Sequence, residues 1–458
     1  MGGGREAGGR RLWCADVRRL ALFNLFVAFA FTVMADPVSS VAYAIEAALA
    51  GLDGDLRSLA PTMALVVGTI GVVAASYHQL IGRFPGGGGG AEGLAAAFGE
   101  GWAFLPLGAL LVDFTLTIAV SCAAGASALI AYEPRLAGAR VPLALGLAAL
   151  VAAGCLLGHR GRVLFATATL VFIALSLAVI VRGALAPSAS ATIPLAADAS
   201  LVPVLLAMPL GMALATGVEA PSNAIAQLGQ LDDGRRRLFG QLTIWVMLAV
   251  VGFLTMAIAV LTVRLGVGAP GENSTLLADV ARASTDGNSL FAAFQSASAL
   301  LLLAAAASSY LAGSGVLEAL ALHGRDREGL LPRSLGVRNR WYAPPWGIAV
   351  LLGASLVLIL AARGRDQEIV QFYAVAVFAS FLGALVACAV LSWRSRRPAG
   401  FAVNVVGIAL VTLVLVLNLR RLDPLLSLAA SSAISLYLWR AWVRRGRPGG
   451  VAGLRTIR

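Results

Sequence analysis

The sequence predicts an all-α polytopic membrane protein, and three observations carry that prediction. Hydrophobic residues make up 59% of 458 and charged residues only 13%. The mean hydropathy of +0.85 lies beyond what a soluble domain of this length tolerates. Twelve apolar runs are each long enough to span a bilayer, which takes about 17 to 25 residues, and two of the twelve are broken by proline beside a carboxylate.

The runs lie near residues 21–50, 61–81, 103–132, 141–157, 163–181, 201–228, 239–263, 290–318, 346–362, 369–392, 401–419 and 424–443. Run one holds Asp36 followed by Pro37. A charge at the centre of a membrane helix costs roughly 2.5 to 3.5 kcal/mol, so it normally faces a pathway, a ligand or a partner. Proline removes a backbone donor and disfavours helical geometry at the residue before it. ADPVSSVAYAIE therefore reads as two half-helices meeting at a polar gap, with Asp36 and Tyr43 two turns apart on one face.

Run two ends at His78, whose position suits an interfacial structural role better than a proton role. The FPGGGGG that follows is either flexible backbone or a close-approach turn, and it lacks the Lys-Ser/Thr of a phosphate loop. Run three, LVDFTLTIAVS, places Asp113, Thr117 and Ser121 at i, i+4 and i+8 on one helix face. Run six contains ALATGVEAPSNA, with Gly217, the acid Glu219 and Pro221. It follows the break at Asp36-Pro37 by five spans. Paired interruptions in corresponding helices point to a midplane site between inverted repeats, here helices one to five and six to ten. The segments 183–200 and 264–289 are small and polar and read as solvent-exposed connectors.

Hydroxyls in membrane helices commonly bond backbone carbonyls, so Ser39, Ser40, Thr117 and Ser121 carry little individually. Asp36, Asp113 and Glu219 differ, because three unpaired acids threaten roughly 8 kcal/mol. No arginine lies in the middle of any run to pair with them. A bound cation, protons taken up by the acids, or both must compensate, which is the signature of cation or proton coupling. Glu219, without a basic neighbour, suits loading and releasing a proton.

All 35 basic residues are arginine. With a cytoplasmic N-terminus, 25 of them fall in inner segments and ten in outer ones. The positive-inside rule thus puts both termini in the cytoplasm of a plasma (inner) membrane protein. The net charge of +12 reflects topology and anionic lipid; dispersed arginines form no nucleic-acid footprint. Cys14, Cys122, Cys155 and Cys388 show no metal or disulfide spacing. His159 and His323 sit in loops beside arginines. No metal motif, nucleophile-base pair or nucleotide loop indicates an enzyme or a cofactor. Run one is too long for a cleaved signal peptide and carries Asp36 and Glu46.

DPVSSVAYAIEAAL at 36–49, YHQLIGRFPGGGG at 77–89, LVDFTLTIAVS at 111–121, TGVEAPSNA at 216–224 and YAVAVFASF at 373–381 resemble the amino acid–polyamine–organocation (APC) superfamily. Within it they are most similar to potassium-proton symporters of the KimA type. The resemblance implies a LeuT-like fold of five plus five helices with two more appended. It makes Asp36, Tyr43, Asp113, Thr117, Ser121, Thr216 and Tyr373 the candidate cation ligands and gives Glu219 an acid's place in proton coupling. Phe114 stands where such motifs carry Tyr. The eighth helix, AAAASSYLAGSG, lacks the expected Asn-Thr-Ser-Phe-Ala-Asp pattern, and a short basic tail replaces a soluble C-terminal domain.

The expected organisation is a basic N-terminus at 1–19, a ten-helix core at 20–393, helices eleven and twelve at 394–443, and a tail at 444–458. The expected function is proton-coupled uptake of a monovalent cation such as potassium, with lipid, protons and a small cation as partners. A proton-coupled amino acid or amine permease is the alternative, and a non-transporting sensor is a third class. The glycine-rich break typical of amino-acid carriers is absent from Asp-Pro-Val-Ser-Ser. The sequence does not give the oligomeric state, and a homodimer is one arrangement it allows.

Overall fold

The computed structural model describes residues 20–158, 162–187, 201–322, 329–419 and 421–451. The basic segment 1–19, with Cys14, lies outside the described residues, as do His159, His323, most of the connector 183–200 and the end of the tail. The described chain is helical, without strands. Among the described residues ten helices are long and apolar enough to cross a membrane.

The first run folds as three pieces, α1 (Leu20–Val33), α2 (Ala35–Ser39) and α3 (Val41–Gly51). Next come α4 (Leu56–Arg83), a short α5 (Gly89–Phe98), α6 (Phe104–Tyr132), α7 (Arg140–Cys155) and α8 (Arg162–Leu185). The sixth run gives α9 (Leu201–Gly211) and α10 (Ala220–Ala224), and α11 (Asp233–Leu265), α12 (Leu276–Thr285) and α13 (Ser289–Leu322) follow. The chain continues through α14 (Pro345–Ala361), α15 (Asp366–Arg394), α16 (Pro398–Asn418) and α17 (Leu422–Arg444).

Helix ends carry their expected chemistry. Asp55 starts α4 by accepting from the Arg57 N–H at 3.0 Å, and Gly266 ends α11 in the left-handed conformation. Asp232 starts α11 in the same way as Asp55. The Arg235 N–H that donates to it, 2.9 Å away, holds this exposed carboxyl below its usual range. Pro345 and Pro398 occupy first-turn positions, where no N–H is needed.

Burial separates the core from the rim. In α6, 78% of the apolar stretch is buried, against 22% in α7, α16 and α17, so α6 lies in the core and the other three at the rim. Between apolar helices there is no hydrophobic driving force in lipid, so close approach through small residues matters. Gly108 of α6 meets Ser431 and Ser435 of α17 so tightly that a β-carbon would overlap them.

Two expectations need correction. The segment 264–289 is not simply an exposed connector, because it contains α12, which buries Leu276, Leu277, Val280 and Ala281. These apolar residues follow helical spacing over ten residues, too short a run to register as a span. The first run is also less open than a polar gap implies. Met34 and Ser40, which divide its pieces, both keep right-handed helical angles, and the Val38 N–H still reaches the Met34 carbonyl at 2.9 Å. The glycine segment proves to be a close-approach turn, described below.

Candidate functional site

The two interrupted runs meet. In the sixth, Met212–Ala215 forms a turn of 3-10 helix, Thr216 is extended with φ −51 and ψ 131, and Gly217 has φ +73. Only glycine adopts that last conformation without strain, and it leaves no side chain where the first run passes. A β-carbon on Gly217 would lie 2.8 Å from Cδ of Pro37 and 2.9 Å from Oδ2 of Asp36. Pro221 is the second residue of α10, just past this interruption, whereas Pro37 lies inside α2, between the divisions at Met34 and Ser40.

Hydroxyls beside the breaks satisfy carbonyls there. Ser39 donates to Asp36 O at 2.7 Å, Ser40 to Pro37 O at 2.6 Å, Thr216 to Ala213 O at 2.6 Å and Ser222 to Glu219 O at 2.6 Å. Ser40 also reaches Leu214 O across the junction, at 3.3 Å. The backbone reading of Ser39 and Ser40 therefore holds.

Around this junction Asp36, Asp113 and Glu219 are all buried and close enough to repel one another electrostatically. Tyr43 on α3 belongs to the same group, beside the Thr216 side chain without a well-formed hydrogen bond to it. Thr117 and Ser121 continue the line from Asp113 along α6, both fully buried. Asp36 Oδ1, the Tyr43 hydroxyl and the Ser121 hydroxyl are buried oxygens without a hydrogen-bond partner. Hydroxyls on other helices, those of Ser176, Thr243, Thr255 and Ser309, share that condition. Tyr373 lies on α15, and its side chain is outside the described residues. Phe114 turns its ring to α13, where a β-carbon on Gly313 would touch it at 3.0 Å.

Glu219 faces a different neighbourhood from the other acids. The Tyr77 hydroxyl of α4 donates to its Oε2 at 3.0 Å. A cavity of about 10 Å³ beside it is bounded by Gly88, Gly90, Asn223 and Ser380. The glycine turn forms one wall of that cavity. A β-carbon on Gly89, which has φ +46, would lie 2.6 Å from Ser222 Oγ and 2.7 Å from Asn223 Oδ1. His78, one residue further along α4, accepts from Trp245 Nε1 at 3.0 Å, in keeping with an interfacial structural role.

Sequence reasoning missed a second polar region. A cavity of about 490 Å³ is lined by Glu46, Ser127, Arg140, Arg365, Asp366 and Gln367, among others. Ser127 of α6 donates to Asp366 of α15 at 2.7 Å and accepts from Arg140 at 2.9 Å. Glu46 accepts from the Leu276 N–H at the start of α12, 2.8 Å away. Gln367 donates to Tyr43 O at 3.4 Å, which connects this cavity to the junction. Asp366 lies just before the run at 369–392, and Ser127, its partner on α6, is 239 residues away in the chain.

The family model described as amino acid permease matches residues 23–424. The chain belongs to this family, within the APC superfamily. It is 30% identical over 385 residues to the potassium transporter KimA of Bacillus subtilis (strain 168), covering 80% of this chain and 61% of that protein. The chain thus spans less than two thirds of that relative's length. Membership makes this a multi-pass membrane protein of a transporter family, and the matched stretch includes both interrupted runs and all of the acids at their junction.

Proposed function

We propose that the chain is a proton-coupled symporter that takes up a monovalent cation such as potassium. The observation that carries this reading is the set of partnerless buried oxygens on Asp36, Tyr43 and Ser121, with the buried acid Asp113 on the same helix as Ser121 and no buried arginine among the described residues. A bound cation supplies what those oxygens lack and cancels charge that lipid cannot solvate. Asp36, Tyr43, Asp113, Thr117, Ser121, Thr216 and Tyr373 are the proposed ligands, and Glu219 carries the proton. The similarity to a potassium transporter supports the same substrate class.

The fold proposed for this function is LeuT-like, with five plus five helices in inverted repeat, helices one and six discontinuous, and α16 and α17 appended. That gives twelve spans in the plasma membrane with both termini cytoplasmic, in accord with the arginine distribution. The proposed divisions are 1–19, 20–393, 394–443 and 444–458. Alternating access would expose the junction first outward, where Glu219 gains a proton, and then inward, where it gives the proton up.

A proton-coupled amino acid or amine permease is the second reading. The family's description favours it, and the larger cavity carries both carboxylates and guanidinium groups, as a zwitterion requires. Uptake of labelled rubidium against a panel of labelled amino acids, in vesicles with and without an inward proton gradient, separates the two. Gradient-driven rubidium accumulation is the expected result. Accumulation of an amino acid without rubidium would assign the second reading, and accumulation of neither would overturn both.

A further inference from the structure

Tyr77 takes no part in the proposed cation site, yet it is among the most buried large side chains of the protein, at 1% exposure. Its ring stands edge-on to Phe381 of α15, with centroids 5.9 Å apart at 77°. The missing side chain of Gly90 leaves its hydroxyl clear, since a β-carbon there would come within 3.6 Å of it. Held in this way from two sides, the hydroxyl can point to one acceptor, Oε2 of Glu219. Ser380 of α15 lines the small cavity beside this carboxyl, together with the glycine turn, and the cavity has room for about one water.

We propose that Tyr77 is the positioning residue for proton exchange at Glu219, holding the ionised carboxylate against the wall of this cavity. This rests on Glu219 being the coupling acid. The step is a single proton transfer. Protonated Glu219 loses its proton to a water in the cavity, the positive charge leaves past the glycine turn, and the carboxylate accepts the Tyr77 O–H group. Tyr77 stays a phenol throughout. The charges that face Glu219 are those of Asp113 on α6 and Asp36 on α2. Cys388 of α15 stands behind Tyr77, and the glycine turn contributes no titratable group.

A hydrogen bond donated to a carboxylate favours its charged form, so losing the donor makes the proton harder to release. The test compares wild type, Tyr77→Phe, Glu219→Gln and the double variant in vesicles, recording gradient-driven accumulation against internal pH and substrate exchange at equal pH. In Tyr77→Phe the pH of half-maximal accumulation should rise by about one unit, the scale of one hydrogen bond to a charged group. Exchange should stay within about twofold of wild type on the same argument, because the cation ligands are untouched. Adding Tyr77→Phe to Glu219→Gln should change nothing further. An unmoved profile with intact exchange overturns the proposal. So does loss of exchange together with accumulation, which would assign Tyr77 to packing of α4, or a Tyr77→Phe effect that persists in the Gln background. Wild-type pH dependence in Glu219→Gln alone would instead remove the coupling role on which the proposal rests.

Discussion

Gly217 and Asp36 stand in van der Waals contact across the two interrupted runs, with no room for a β-carbon between them. Residues 181 positions apart in the chain are thus fitted to one another at a buried carboxylate. Gly217→Ala combines two costs. A left-handed alanine loses about 1 kcal/mol, and its methyl would overlap the Asp36 carboxylate and the Pro37 ring. We expect destabilisation of about 2 kcal/mol or more and uptake reduced at least about tenfold. Thermal unfolding in detergent and vesicle uptake measure these effects separately.

Ser121→Ala distinguishes a ligand from a packing residue. The Ser121 hydroxyl is buried without a partner, so removing it breaks no protein hydrogen bond. Stability should be unchanged or higher by up to about 1 kcal/mol, while substrate affinity falls about fivefold. A drop in stability without a drop in affinity would remove Ser121 from the site.

The helix breaks and their acids were legible in the sequence because proline, glycine and charge are local signals that lipid makes costly. Each of the twelve runs holds helix, with ends up to six residues from those expected, and ten helices among the described residues are long and apolar enough to cross a membrane. What was not legible is pairing between distant helices. Tyr77 meets Glu219 across 142 residues and Ser127 meets Asp366 across 239, and hydropathy records neither. Helix α12 escaped notice because ten residues carry too little periodicity. The first break was overestimated for a physical reason too: Pro37 removes one donor, but the flanking serines bond the carbonyls around it.

Asp36→Asn should abolish substrate binding while leaving the protein folded and inserted. The change removes a buried charge, so the unfolding temperature should hold or rise. Rubidium binding, measured beside thermal unfolding, checks both halves. Normal transport by this variant would exclude Asp36 as a ligand.

Ser127→Ala tests the larger cavity. This hydroxyl donates to Asp366 and accepts from Arg140, so it ties α6 and α15 to the start of α7. Its loss leaves a buried carboxylate short of a donor, and we expect about 1 to 3 kcal/mol of destabilisation. Because Ser127 is not among the proposed ligands, rubidium affinity should change less than about twofold. An affinity loss as large as that of Ser121→Ala would extend the binding site into this cavity.

Glu219→Gln addresses the coupling itself. In the proposed cycle, wild-type accumulation rises as the external pH falls below the internal pH, because Glu219 loads a proton outside and releases it inside. Glutamine neither gains nor loses a proton in this range, so one charge state is frozen. Exchange of substrate across the membrane should persist, gradient-driven accumulation should vanish, and residual flux should become flat with pH. Flat flux also separates coupling from scaffolding. Had Glu219 only bonded Tyr77 of α4, glutamine would keep an acceptor oxygen for it, and the variant would still accumulate substrate in response to a proton gradient. Persistence of that accumulation would therefore leave Glu219 a structural residue and move the search for the coupling acid to Asp36 and Asp113.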